Sequence, residues 1–411
     1  MAKLNYIDLF AGAGGLSEGF INAGFNPIAH VEMNKDAADT LKTRAAYHWL
    51  KSKNKEYIYN DYLIDEKKNK EVLWDSVPKS VINSVINKEI SSKTLPEIFE
   101  LINSKLINKN VDIIIGGPPC QAYSIAGRAR KDMGEDPRNH LYKHYVKFLE
   151  KYNPKMFVFE NVPGILSAKN GEYLEKIFKA VRNAGYEVAI PNKKHLNAKD
   201  FGVLQDRKRV IIIGWRKELN LKYPEFKTKE NSFQVAKDLF SDLKKLKSGE
   251  GTLNAVEYVK PTTDYLKQSK IRNGLEFVTQ HITRPINDND LEIYKIAIEK
   301  WNNGKRLNYA ELPKRLIKHS NIETFANRFQ VVNGLGKSHT VVAHIAMDGH
   351  YYIHPDKNQN RSISLREAAR IQSFPDNFFF EGSRTAAFKQ VGNAVPPLMA
   401  QHIAKSIKKL L

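Results

Sequence analysis

Three short runs of this 411-residue sequence carry side chains that could do covalent or proton-transfer chemistry. In Gly116-Gly-Pro-Pro-Cys-Gln-Ala-Tyr-Ser124 the single cysteine, Cys120, follows two prolines that stiffen the backbone before it. That arrangement suits a presented nucleophilic thiolate, although a lone cysteine is otherwise a small buried hydrophobe. Glu160, in Glu160-Asn-Val-Pro163, could hold a proton as a general acid if partly desolvated; it could equally cap a helix or sit in a salt bridge. Gln205-Asp-Arg-Lys-Arg209 would point Arg207 and Arg209 to one side of an extended segment. Two such guanidinium groups can hold a carboxylate or another anion, while a solvated edge is the plainer explanation of a charge run.

A fourth run is built for close approach rather than reaction. Asp8-Leu-Phe-Ala-Gly-Ala-Gly-Gly15 could bring backbone against a ligand, because glycine has no side chain in the way. Glu32 follows where nucleotide-binding folds place a carboxylate for ribose hydroxyls, so the pair suggests an adenosine-containing cofactor. Ser17 replaces the third small residue of the dinucleotide fingerprint, and Glu18 puts a negative charge near the helix start, where a pyrophosphate would bind. A cofactor without pyrophosphate fits better.

Each run is placed by the element before it. Residues 4–9 read as a strand entering the glycine loop, then a helix stopping near Gly24; Pro27–Glu32 read as a second strand, with Asn34 as the next helix cap. Strand-like runs recur at Val111–Ile115, Met156–Phe159 and Val210–Ile213, most of them separated by helical patterns. The expectation is an α/β, doubly wound, Rossmann-like sheet, whose ligands bind at the carboxyl ends of the strands. Residues 62–108 and 216–360 interrupt the alternation. Helices are expected again at Ser364–Gln372 and Pro397–Leu411. The expected division is a catalytic domain over 1–215, a smaller mixed domain over 216–360, and a segment 361–411 returning to the first.

Composition narrows the class. Lys+Arg number 65 against 45 Asp+Glu, a formal +20, with 42% hydrophobic residues. The surplus favours a polyanionic partner. No apolar run approaches a membrane span, and the N-terminus lacks a signal-peptide pattern, so a cytoplasmic protein with no membrane association is expected. One cysteine allows no intrachain disulfide and no cysteine-rich metal cluster, and no metal is expected.

Taken in order, DLFAGAGG, Glu32, GGPPCQAYS, ENVPG, QDRKRVIIIG, REAARIQSFPD and GNAVPP resemble the conserved blocks of the DNA cytosine-5 methyltransferases. The resemblance spans both ends of the chain and leaves 62–108 and 216–360 outside it. It implies a bacterial, cytoplasmic, monomeric enzyme that methylates carbon 5 of a flipped cytosine in double-stranded DNA. S-adenosyl-L-methionine would be the methyl donor, enclosed by Phe10, Ala11, Gly12, Gly14, Gly15, Glu32, Asp61, Pro118 and Asn393. The implied catalytic set is Cys120 as nucleophile, Glu160 at ring nitrogen 3, and Arg209 with Arg207 in the same pocket. Residues 216–360 would be the target-recognition domain, with Thr340-Val341 near its end, and Ala126 stands where some members carry a serine. A restriction endonuclease would be a genetic rather than a physical partner. A tRNA cytosine-5 methyltransferase and a catalytically silent DNA-binding regulator of the same fold are the alternatives; nicotinamide chemistry leaves PPCQ, ENV and QDRKR unexplained.

Overall fold

A computed structural model describes residues 3–106, 110–119, 140–228, 231–318 and 326–411. The first half alternates as expected: β1 (Asn5–Leu9), α1 (Gly15–Asn22), β2 (Asn26–Val31) and α2 (Lys35–Ser52). Next come α3 (Glu56–Ile64), α4 (Lys70–Asp75), α5 (Lys79–Ile82), β3 (Val85–Ile86), α6 (Leu95–Asn103), β4 (Ile113–Gly116), α7 (Leu141–Tyr152), β5 (Met156–Asn161) and α8 (Glu172–Asn183). The strands β6 (Tyr186–Ala189), β7 (Leu196–Asn197) and β8 (Lys208–Arg216) finish the sheet.

The strand order is β3-β2-β1-β4-β5-β8-β6, with β7 pairing β8 beside this path. β3, β2, β1, β4 and β5 run parallel, and β8 is antiparallel to both β5 and β6. From β1 the chain winds first toward β3 and then, starting at β4, toward β5. The reversal leaves a crevice beyond the carboxyl ends of β1 and β4, the place where doubly wound sheets bind ligands. Gly116 ends β4 there, and a Cβ on it would lie 2.2 Å from the Leu9 carbonyl oxygen, so only glycine lets the two strand ends approach.

Both faces of the sheet are covered, which is why its strands read as continuous apolar runs. Ile7, Leu9, Ile114, Phe157 and Phe159 pack on one side with Tyr145, Phe148 and Ile177. Tyr6, Ile113, Ile115, Val158 and Ile211 pack on the other with Phe20, Met399 and Ile403. Local signals hold: Asn34 accepts from the Ala37 N–H at 3.0 Å, and Gly24 takes φ +88° at the end of α1.

The stretch 62–108 contributes α4, α5, α6 and the edge strand β3. A two-residue strand has no readable period, which is why the sequence pattern lost it.

After β8 the chain is largely irregular, with β9 (Val256–Glu257), α9 (Asp264–Gln268), β10 (Phe277–Val278) and α10 (Asp288–Asn302). Helices α11 (Leu365–Ile371), α12 (Arg384–Asn393) and α13 (Pro397–Lys408) follow, α11 beginning with a reciprocal capping box between Ser364 and Glu367. One apolar cluster joins Ala13 and Leu204 to Val235, Val332 and Val341 and to Leu365–Ala394, while Ile293–Ile353 form a smaller cluster of their own. No helix among the described residues is long and apolar enough to cross a membrane.

Candidate active site

The glycine loop leaves β1 through Phe10, which takes φ +55°. Left-handed backbone is uncommon for a bulky residue and marks a strained position. The three glycines do different work. A Cβ on Gly12 would meet nothing within 4 Å, so this residue faces open space; one on Gly14 would press on Leu41 at 2.7 Å; one on Gly15 would strike the Val395 carbonyl at 2.3 Å. Gly15 is therefore what seats the Ala394-Val395 segment on the loop, and it brings the exposed Asn393 at the end of α12 to the same end of the sheet.

Glu32 follows β2 and is bound into the loop: its two oxygens accept the Gly12 N–H at 2.8 Å and the Asn34 N–H at 2.7 Å. Burial pushes its carboxyl above the usual range. Asp8, 1% exposed in β1, is more unusual, because neither of its carboxylate oxygens has a hydrogen-bond partner among the described residues. Burial, and then the nearby Glu32, push it well up. The pocket thus gathers two carboxyl groups whose charged forms are disfavoured by burial, with free acceptor capacity beside open space, a fit for a ligand that brings a diol and a compensating positive charge.

Two residues that sequence reasoning missed join this edge. Met33 is 63% exposed directly after Glu32, an apolar side chain left uncovered at the end of β2. Asn87, just past β3, donates to the Glu32 carbonyl at 2.9 Å and the Met33 carbonyl at 3.1 Å. An asparagine after a short apolar pair was the only available signal. Asp61 is not brought to the crevice. It lies on the exposed side of α3, a helix that buries Tyr59, Tyr62 and Leu63, and Tyr59 and Tyr62 reach Asn377 and Glu381.

Glu160 and Arg209 meet across antiparallel strands: β5 pairs β8, and Arg209 Nε lies 2.6 Å from Glu160 Oε1. Both side chains are mostly buried, so the ion pair is screened far less than one on the surface. A Cβ on Gly117 would lie 2.6 Å from Glu160 Oε2, and Asn161 Nδ2 donates to the Pro118 carbonyl at 3.4 Å. The Gly-Gly-Pro-Pro run therefore rests on Glu160. Cys120 and Ala126 lie outside the described residues.

Arg207 does not share the pocket. It is fully buried, with Nη1 donating to the Val341 carbonyl at 2.6 Å and Nη2 to the Gly392 and Ala394 carbonyls at 3.2 and 2.8 Å. Its alternation with Arg209 holds, yet the guanidinium fastens three segments together instead of facing an anion. Burial, with the charge of Arg209 second, draws its pKa well below the arginine range. Thr340 Oγ1 donates to the Asp206 carbonyl at 2.6 Å and the Val341 N–H to Gln205 Oε1 at 2.9 Å, so the Thr340-Val341 element docks on the same strand end.

Glu18 reverses one expectation about charge. Arg44 grips it through two nitrogens, at 2.6 and 2.9 Å, and His48 Nε2 lies 2.9 Å away. Its charge is neutralised inside the fold and does not repel a ligand at the loop.

Comparison with known proteins agrees with this geometry. The family model for C-5 cytosine-specific DNA methylases matches residues 4–78 and 66–409. The type II methyltransferase M.Bpa9945I of Bacillus paralicheniformis is 43% identical, over 98% of this chain and 98% of its own. M.DdeI of Desulfomicrobium norvegicum, also a type II methyltransferase, is 32% identical over 98% of this chain and 88% of its own. The Entamoeba histolytica methyltransferase EhMeth shares the fold at 17% identity, with a TM-score of 0.56 over 100% of both chains.

Proposed function

The chain belongs to the C-5 cytosine-specific DNA methylase family, and from that premise we propose that it is the modification enzyme of a type II restriction-modification system, using Cys120, Glu160 and Arg209 on a cytosine flipped out of double-stranded DNA. The observation that carries the site assignment is the 2.6 Å Arg209–Glu160 pair under the Gly117-Pro-Pro119 run that leads into Cys120. The type II assignment is supported by relatives that cover nearly the whole chain.

Carbon 5 of cytosine is too weak a nucleophile to take a methyl group unaided. The Cys120 thiolate adds to carbon 6 while Glu160 donates a hydrogen bond or proton at ring nitrogen 3, and electron density is released to carbon 5. Arg209 orients Glu160 and holds the exocyclic oxygen of the base. After methylation, loss of the carbon 5 proton to a base expels Cys120 and restores the ring. Arg207 takes no part in this chemistry; it positions β8 against Val341 and Ala394.

S-adenosyl-L-methionine supplies an electrophilic methyl group when bound. The residues suited to it are Glu32, with lone pairs left for ribose hydroxyls, the open face of Gly12, Phe10, Met33 and Asn393. The buried Asp8 carboxyl, unpartnered among the described residues, has its charged form disfavoured by burial, and a sulfonium or ammonium brought beside it would favour ionisation. Flipping exposes the base at a cost of a few kcal/mol, offset by pocket and backbone contacts.

The test is incubation with labelled S-adenosyl-L-methionine and, separately, unmethylated plasmid and tRNA, followed by bisulfite sequencing. Methylcytosine within one repeated DNA context is expected; label confined to tRNA would overturn the reading. Cys120→Ala should abolish transfer while calorimetry still detects donor binding, and retained transfer would remove Cys120 from the mechanism.

A further inference from the structure

Between the target segment and the Gln205–Arg209 strand end lies a cavity of about 220 Å³. Trp301 and Phe329 give it apolar walls, and Asp206, Arg306, Asn327 and Gln330 add polar groups. A slot with aromatic walls and a mixed polar lining, Lys337 and His339 included, suits the polar edge of a planar heteroaromatic ring.

Seven arginines lie in residues 216–361, and six are engaged. Arg216 pairs with Glu218, Arg272 with Asp242, Arg315 with Glu292, Arg328 with Asp348 and Arg361 with Glu367, while Arg284 donates to the Ile345 and Ala346 carbonyls. Arg306 is exposed and has no hydrogen bond or ion pair among the described residues. Burial disfavours a proton on His339, also in the cavity wall, and the charge of Arg306 adds to this in a smaller measure. Asp206 does not neutralise it, because its carboxylate holds Asn197 at 2.8 Å and Lys199 at 3.3 Å. An idle guanidinium in a walled cavity implies a partner with two acceptors.

We infer that Arg306 reads a guanine of the recognition sequence through the major groove, donating to its O6 and N7, and that this guanine is a close neighbour of the methylated cytosine. Guanidinium groups only donate, and guanine is the base that offers two acceptors along its major-groove edge. Proximity to the target follows from the frame. Asp206 in the cavity wall is three residues from Arg209, and the Asp206 N–H donates to the Ser338 carbonyl at 2.8 Å. The inference rests on the DNA-methylation reading above.

The methylated context found by bisulfite sequencing is rebuilt in synthetic duplexes, with 7-deazaguanine, which lacks N7, at each guanine in turn. One neighbouring 7-deazaguanine is expected to lower wild-type kcat/KM by about tenfold. Arg306→Ala lowers it about 10- to 100-fold on the unmodified duplex and is indifferent to that analogue. Arg306→Lys recovers only part, since an ammonium cannot bond in the same fork. Arg306→Ala should melt like the wild type and bind S-adenosyl-L-methionine equally well. Equal sensitivity of wild type and Arg306→Ala to every analogue overturns the inference, as does an Arg306→Ala loss that is the same on cognate and random DNA, the mark of a phosphate contact. A wild-type protein that methylates no DNA sinks the functional reading and this inference together, a result distinct from undiminished discrimination by Arg306→Ala.

Discussion

Strands β1, β2, β4 and β5 hold their backbone by pairing with one another, whereas the chain between 216 and 380 holds much of its own through arginine side chains. Arg361 donates to the Leu246 and Ser362 carbonyls as well as to Glu367. Arg366 donates to the Thr279, Pro375 and Phe378 carbonyls. Arg370 bonds the Leu239 carbonyl and both Asp242 and Asp376. All three are fully buried. Buried carbonyls must find donors, and irregular chain offers no neighbouring strand; one guanidinium, with five N–H groups, serves several at once. The comparison also places the charge surplus. Arg207, Arg361, Arg366 and Arg370 are buried, but so are Asp242, Glu367 and Asp376 with which two of them pair, so these clamps leave nearly all of the +20 to the rest of the chain.

The sharpest way to break the comparison is to remove a clamp. Arg370→Ala leaves Asp242 and Asp376 buried without their shared cation, and should cost about 3–5 kcal/mol in denaturant unfolding. Arg209→Ala, on the strand-built side, should cost clearly less stability while removing activity. Equal losses of stability would mean that the clamps do not replace a ladder.

A smaller effect tests both regions at once. His30 in β2 and His354 in the largely irregular chain after β8 are each pushed down to about 4, in both cases mainly by burial. The unfolded chain takes up a proton near pH 6.5 and the folded chain does not until about 4, so stability falls as pH drops through that window. Each imidazole should contribute a loss of about 2 kcal/mol between pH 7 and 5. His30→Asn and His354→Asn should each flatten the decline, and an unchanged pH profile in both would contradict it.

The smallest effect has the opposite sign. Asp8 has a raised carboxyl pKa, so the folded state binds its proton more tightly than the unfolded state. Its contribution to stability is therefore full at low pH and lost as pH rises through the raised value. Asp8→Asn should raise the neutral-pH melting temperature slightly and weaken S-adenosyl-L-methionine binding. A variant that binds as tightly as the wild type would detach Asp8 from the donor.

The fold was legible where a strand carries its own apolar run and ends in an unusual motif. Five strands, the Asn34 cap and the Gly24 stop could be read from spacing alone. Strand β3 was not, because two residues have no period, and with it went Asn87 and the setting of Met33. Asp61, named from the resemblance alone, stands on the exposed side of α3, a helix that precedes β3 in the chain.

What the sequence determined by itself was the inventory of chemistry: a thiol after two prolines, an acid at the end of a strand, alternating arginines, and a glycine loop followed by Glu32. These are local facts, set by neighbours a few residues away. Only the tertiary structure decided which arginine meets Glu160. Arg207 and Arg209 share a face of an extended segment, but Arg209 lies across the β5–β8 ladder from the acid while Arg207 is surrounded by carbonyls from residues 341, 392 and 394. Alternation specifies a side of a strand; what waits on that side comes from chain more than a hundred residues away.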